Sequence, residues 1–209
     1  MASDFLRRWV IFVSLGEALG FAVPAAVGAL LFDESTAVLG ASVIIAGVIE
    51  GVLLGSAQWL VLRSELPRLA LARWAGWTVV GVVAAYTLGL LPSVMYESWS
   101  QWPVVAQVLL FVVMGLCLLA TIGTAQWVEL RRHVDRAGRW ILGTAAAWAA
   151  ALATFGLIST PLWQEGQSVE LRILIGVSAG LAMAVVMALI TGLVMRALLT
   201  GPASARGAA

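Results

Sequence analysis

The chain has 209 residues, of which 62% are hydrophobic and only 11% are charged, and its mean hydropathy is +1.00. Soluble domains carry about 25% charged residues, so the composition excludes a soluble protein and predicts an integral membrane protein. The formal net charge is only +1, which argues against nucleic acid as a partner. Lysine is absent from the sequence, and this excludes Schiff-base and P-loop chemistry, because both require its amine.

Six apolar segments are long enough to cross a bilayer, which takes about 20 residues. We predict an all-α bundle of six transmembrane helices in a single domain, 1–199, followed by a flexible C-terminal tail, 200–209. The predicted helices are 9–32, 37–62, 74–92, 103–128, 140–158 and 171–199.

The first two helices each carry a carboxyl group inside the membrane, Glu17 and Glu50. A tight turn at 33–36 joins these helices, and its hydroxyls are suited to cap the second one. Ionisable residues at this depth normally face protein or a water-filled cavity. Two interpretations stay open: the pair shares a proton and relays protons or cations, or a protonated acid holds the hairpin together by hydrogen bonding.

A repeat runs through the chain. The first helix of each predicted hairpin opens with an Arg-Trp pair, and the tryptophans are Trp9, Trp74 and Trp140. The first two returning helices end in the same pattern, Gly-x-Ala-Gln-Trp-x-x-Leu-Arg, but the third has Met195 in place of the glutamine. We therefore predict three tandem helical-hairpin repeats, at about 8–63, 73–131 and 139–199.

Small residues recur along one face of the returning helices. Glycines spaced by four residues let membrane helices approach closely, because dispersion and backbone contacts drive association in lipid. We expect this face to contact neighbouring helices, and an arrangement around a pseudo-threefold axis is one way to do so. The predicted packing face consists of Gly47, Gly51, Gly55, Gly115, Gly123 and Gly192.

The glutamines of the repeat, Gln58 and Gln126, have two possible roles. They are suited to donate hydrogen bonds to backbone carbonyls of an adjacent hairpin, or to bind a lipid headgroup while nearby arginines bind its phosphate. Repeated positions favour the structural role. Arginines near the membrane surface attract anionic lipids, and the candidate headgroup contacts are Arg63, Arg73, Arg131 and Arg139.

The distribution of arginine predicts the orientation. Eleven of the 12 arginines flank the same ends of the predicted helices, and only Arg172 lies on the other side. Because this bias marks the cytoplasmic face, we expect a multi-pass protein of the bacterial inner membrane with both termini in the cytoplasm.

One sequence pattern resembles that of a serine hydrolase. Gly176-Val-Ser178-Ala-Gly180 matches G-x-S-x-G, which requires a strand-to-helix turn and a histidine base. Here Ser178 lies inside the sixth predicted helix, and the only histidine, His133, lies in a loop on the opposite side. We therefore expect no enzyme, no metal site and no cofactor.

The repeated Gln-Trp-x-x-Leu-Arg ending, followed by Arg-Trp at the next helix, resembles a loose group of bacterial polytopic membrane proteins. The likeness covers about residues 8–199, and it implies no activity and no functional residue, because the group has no established activity.

Two functions remain. The first is a non-enzymatic bundle that binds membrane lipids, a membrane protein partner or a second copy of itself. The second is a small proton- or cation-coupled transporter or channel that uses Glu50 and Glu17, which internal repeats and midmembrane carboxyls favour.

Overall fold

The structure is a computed structural model that describes residues 2–31 and 33–201. The described chain is entirely helical, as predicted, and six of its helices are long and apolar enough to span a membrane. The chain is therefore a multi-pass membrane protein. Residue 32 of the first predicted helix and residues 202–209 of the predicted tail lie outside the described residues. The helices are α1 (Ala2–Leu30), α2 (Thr36–Leu62), α3 (Leu71–Val94), α4 (Tyr96–Trp99), α5 (Val104–Leu130), α6 (Arg139–Leu162) and α7 (Val169–Leu199).

The helix boundaries differ from the predicted ones by up to seven residues. Helix α1 begins at Ala2 rather than at residue 9, so its first turns extend beyond the apolar segment. Helix α6 continues through Pro161 to Leu162, because a proline in the last turn removes only one hydrogen bond. The single turn α4 was not predicted. The cap of α2 was predicted and is confirmed, because the Ser35 hydroxyl accepts a hydrogen bond from the Val38 amide at 3.4 Å.

The six long helices form a closed ring. Each packs against its neighbours in chain order, α1 on α2, α2 on α3, α3 on α5, α5 on α6 and α6 on α7, and α7 returns to pack on α1. We call the contact between α7 and α1 the closing seam. It joins the first and the last span of the ring, whereas every other contact of the ring joins consecutive spans. The three hairpins, α1 with α2, α3 with α5 and α6 with α7, thus close into one ring.

Glycine lies at every interface of the ring. A Cβ added at these positions would come within 3.1 Å of an atom of the neighbouring helix. That atom belongs to the backbone at five of the glycines, where the helices approach as closely as small residues allow, and to a side chain at Gly47, Gly143 and Gly192. The glycines are Gly20 (α1 on α2), Gly47, Gly51 and Gly55 (α2 on α3), Gly81 (α3 on α5), Gly123 (α5 on α6), Gly143 (α6 on α7) and Gly192 (α7 on α1).

Gly115 does not belong to this packing face, contrary to the sequence-based expectation. A Cβ at Gly115 would meet no atom of the described residues within 4 Å. The physical reason is that the first two-thirds of α5 are loosely packed: none of the residues 104–121 is buried.

Packing is uneven along the bundle. Helices α1 and α3 begin, and α2 and α5 terminate, at the same end of the bundle. We call this the Arg-rich end. The buried residues of α3 lie between Trp74 and Val82, and those of α5 between Ile122 and Leu130, all in the half nearer the Arg-rich end. The part of the ring formed by α3 and α5 is therefore tightly packed in that half and loosely packed at the opposite end, whereas α7 has buried residues in both halves.

Candidate functional site

Three tryptophans fill the centre of the ring in its Arg-rich half. Trp9, Trp74 and Trp140 open the apolar parts of α1, α3 and α6, and all three are fully buried. The ring centroids of Trp9 and Trp74 lie 6.3 and 6.4 Å from that of Trp140. The repeated Arg-Trp pairs therefore supply a tryptophan triad that fills the middle of the bundle.

Gln58 and Gln126 bind each other and two tryptophans of this triad, Trp74 and Trp140. Gln58 Oε1 accepts bonds from Trp74 Nε1 at 3.1 Å and from Gln126 Nε2 at 2.7 Å. Gln126 Oε1 accepts from Trp140 Nε1 at 2.9 Å, and its Nε2 also donates to Thr78 Oγ1 at 2.9 Å. Polar groups in an apolar interior need such partners, because an unpaired one is costly.

The two roles expected for these glutamines need correction. Both side chains are buried at the centre of the ring, so neither reaches a lipid headgroup. The structural role holds in a different form, since the bonds to Trp74 and Trp140 and the bond between the two glutamines join side chains of different hairpins, and none of them involves a backbone carbonyl.

The third repeat lacks this arrangement. Trp9 Nε1 donates instead to Thr191 Oγ1 at 3.1 Å, and Met195 is fully buried at the position of the missing glutamine. Thr144, which occupies the position of Thr78, has a buried hydroxyl without a hydrogen-bond partner among the described residues. The closing seam is thus the weakest part of the polar network.

The two carboxyls lie two helical turns deeper, about 12 Å from the glutamine layer at 1.5 Å per residue. Glu17 is 0% exposed and Glu50 is 4% exposed. Tyr86 Oη donates to Glu50 Oε2 at 2.6 Å, and its ring packs on Gly47, where a Cβ would lie 2.7 Å from the ring. Gly20 lies directly against the backbone of Glu50.

Glu17 has an unusual environment. Both of its carboxyl oxygens are buried and make no hydrogen bond to the described residues. Glu50 lies on the facing helix of the same hairpin, where its backbone packs against Gly20, one turn from Glu17. Because an isolated buried ion costs several kcal/mol, Glu17 holds its proton in this arrangement. The first hairpin therefore presents a neutral acid with unused hydrogen-bonding capacity beside a second carboxyl.

Apolar side chains separate this carboxyl layer from the glutamine layer. Val13 lies midway between Trp9 and Glu17 on α1, and Leu54 lies midway between Glu50 and Gln58 on α2, and both are fully buried. The carboxyls are consequently closed off from the Arg-rich end by an apolar layer and the tryptophan triad.

The candidate lipid-contacting arginines all lie exposed at the Arg-rich end. Arg63 and Arg131 are placed over tryptophan rings, with their guanidinium carbons 5.5 Å from the Trp59 centroid and 4.6 Å from the Trp127 centroid. These cation–π contacts hold the two guanidinium groups at the ends of α2 and α5. Two further members of the set, Arg73 and Arg139, flank the starts of α3 and α6.

A third buried carboxyl, Glu129, was missed by the sequence analysis. It is 1% exposed, and its Oε1 lies 3.2 Å from His133 Nε2 and 3.9 Å from Arg73 Nη1. Its Oε2 lies 3.5 Å from Arg132 Nη1 without hydrogen-bond geometry. The available signal was that Glu129 replaces Val61 of the first repeat inside an otherwise matching motif.

The described residues contain no group of three or more His, Cys, Asp or Glu side chains that could hold a metal ion. Ser178 of the G-x-S-x-G pattern is exposed within α7, and His133 follows α5 at the Arg-rich end, so the structure does not bring them together.

No protein-family model matches this chain, and no curated protein or solved structure resembles it significantly. The resemblance to the loose bacterial group therefore stays a prediction.

Proposed function

We propose that the protein is a small proton- or cation-coupled transporter or channel in which Glu17 and Glu50 bind the coupling ion. The observation that carries this proposal is Glu17, whose carboxyl is buried and makes no hydrogen bond to the described residues. A buried acid that only stabilised the hairpin would be expected to have partners, because an unpaired polar group destabilises the fold. Intramembrane carboxyls of this kind characteristically mark ion pathways.

The carboxyl pair has the chemistry of a proton site. Tyr86 donates to Glu50 Oε2, which compensates negative charge on that carboxyl. A proton leaving Glu17 has a second carboxyl close by to receive it, so the pair exchanges one proton without exposing two charges. In the transport cycle, opening the site to water lets the pair release that proton or exchange it for a small cation.

The uneven packing supports a site that opens to one side at a time. The apolar layer of Val13 and Leu54 and the tryptophan triad close the site toward the Arg-rich end. Toward the opposite end α3 and α5 are loosely packed, and residues 104–121 of α5 are all at least partly exposed. Access from that end, followed by rearrangement of the tight half, is a form of alternating access.

Orientation follows from the positive-inside rule. The Arg-rich end would face the cytoplasm, with both termini there, and the loosely packed end would face outward in a bacterial inner membrane. Protons or cations would then approach Glu17 and Glu50 from outside.

The loose packing of α5 also favours a second candidate function, a non-enzymatic bundle that binds lipid, a membrane protein partner or a second copy. Val104, Val105 and Leu116 of α5 are more than 60% exposed, and they form an apolar surface on which another transmembrane helix could pack. In that case Glu17 and Glu50 would never meet water.

Water access on the two sides of Glu50 distinguishes these functions. Ala46 and Leu54 are both buried and lie one turn to either side of Glu50 on α2. Each is replaced by cysteine in a separate variant that carries Cys117→Ala and keeps Glu17 and Glu50. Small water-soluble maleimides should label the cysteine at 46, toward the loose end, and leave that at 54 unlabelled. Labelling at neither position, while a cysteine in the exposed 164–167 loop reacts, would contradict the transport proposal.

A further inference from the structure

We propose that the closing seam binds the phosphate of an anionic phospholipid at the Arg-rich end. A surface groove runs between α1 and α7 there, and its walls combine two arginines with four apolar side chains. The residues that line it are Leu6, Arg7, Val10, Ile11, Leu189 and Arg196.

The two arginines come from opposite walls of the groove. Arg7 lies in the second turn of α1, and Arg196 lies in the last turn of α7. The Arg7 side chain is 76% exposed, and its one ion pair within the described part of the chain is an exposed contact with Asp4 at 3.8 Å. Such surface pairs contribute little. Arg196 forms no ion pair with a carboxylate among residues 2–31 and 33–201. Both guanidinium groups are thus available to the same phosphate.

The apolar part of the groove identifies the occupant as a lipid rather than a free phosphate. Ile11 and Leu189, which lie one or two turns deeper than the arginines, are 50% and 43% exposed. An acyl chain lying along them would cover this surface, while the phosphate stays at the depth of Arg7 and Arg196. A soluble phosphate would satisfy only the charged part of the groove.

The position of the groove gives the lipid a structural consequence. The closing seam is the interface at which α1 and α7 meet without being consecutive spans, and it lacks the Trp–Gln bond present in the other two repeats. A phosphate bound by Arg7 and Arg196 would link the two helices. Lipid bound at this groove should therefore stabilise the closed ring, whereas lipid bound at other surface arginines should not.

Thermal unfolding of the full chain in a mild detergent tests this inference. We expect phosphatidylglycerol to raise the unfolding temperature more than phosphatidylcholine with the same acyl chains, because only the former is anionic. The double variant Arg7→Gln/Arg196→Gln should lose this difference and bind phosphatidylglycerol about thirtyfold more weakly. The matched control Arg63→Gln/Arg131→Gln removes two arginines at the same end. It should still unfold at a higher temperature in phosphatidylglycerol than in phosphatidylcholine.

Each remaining outcome is also informative. Inorganic phosphate should leave the unfolding temperature unchanged, and an equal rise with phosphate would show that the groove is an anion site without lipid specificity, which would overturn the proposal. An equal loss in the control pair would show a diffuse charge effect and would overturn it as well. If the double variant does not fold, Arg7→Gln alone, at an exposed position, should still weaken lipid binding measured by native mass spectrometry, and unchanged binding would contradict the seam site.

Discussion

Gln126 Nε2 lies 2.7 Å from Gln58 Oε1, so two residues that are 68 positions apart in the repeat meet at the centre of the ring. This bond joins the first hairpin to the second, and each glutamine also accepts a bond from the tryptophan that opens the following hairpin. The same two residues therefore mark the repeat and hold its copies together.

The first prediction concerns the strength of this bond. The variants Gln58→Leu and Gln126→Leu should each destabilise the fold by about 1–3 kcal/mol, because each leaves a buried tryptophan N–H without its acceptor. The double variant should lose less than the sum of the two, with a coupling energy of about 1 kcal/mol. Reversible unfolding in mixed micelles measures all three, and strict additivity would show that the two side chains do not interact.

The second prediction is a gain of stability in the third repeat. Met195→Gln restores the missing glutamine, which can donate to the unpartnered Thr144 hydroxyl and accept from Trp9 Nε1. We expect about 1 kcal/mol of added stability, the usual net value of one hydrogen bond. The volume-matched control Met195→Leu should give no such gain.

The gain should also depend on Thr144. In a Thr144→Val background, Met195→Gln should lose most of its benefit, because the expected acceptor is gone. A stabilisation that survives in that background would mean that the pseudo-threefold correspondence does not extend to hydrogen bonding.

A matched pair of glycines tests the closeness of the helices. Gly81→Ala should be strongly destabilising, since its Cβ would lie 2.6 Å from the Ile122 Cα of α5. Gly115→Ala meets nothing within 4 Å among the described residues and should be neutral or stabilising, because alanine is favoured over glycine in helices by up to about 1 kcal/mol. Unfolding temperatures compare the two directly, and equal destabilisation would argue against the loose packing of α5.

The fourth prediction separates the two interpretations of Glu17. Glu17→Leu should raise the stability of the fold, because it replaces an unpartnered buried carboxyl with an apolar side chain, and it should abolish proton or cation coupling. Stability gained at the expense of activity is typical of functional sites. A clear loss of stability would instead support Glu17 as a hydrogen-bonding residue that holds the hairpin together.

Much of the fold could be predicted from hydropathy and repeated patterns in the sequence. Runs of about 20 apolar residues predict the six spans, and the repeated Arg-Trp and Gln-Trp patterns predict the three hairpins. Helix ends were less predictable, since α6 tolerates Pro161 and α1 begins seven residues early. A helix can continue into polar residues near the membrane surface. Hydropathy marks only the apolar part of the helix and therefore does not show where the helix ends.

The site was predictable only in part. Glu17 and Glu50 stand out because carboxyls are rare at membrane depth. The Tyr86 bond to Glu50 spans 36 residues and two hairpins, and it depends on how α2 meets α3. Glu129 likewise forms an ion pair with Arg73 from another helix. Contacts of this kind follow from closing the ring, which no local pattern determines.

The most direct test of the central claim is modification of the protein in membranes by a hydrophobic carbodiimide, with the modified residue located by mass spectrometry. This reagent adds to neutral carboxylic acids in apolar surroundings. We predict modification at Glu17 or Glu50 that slows as the bulk pH rises, because the pair exchanges its proton with water. The variant Glu17→Gln/Glu50→Gln should lose the modification, and Glu97→Gln, which removes an exposed carboxyl, should keep it. Modification at a rate independent of pH, or none at either residue, would mean that the carboxyl pair does not exchange protons with water, and would contradict the account.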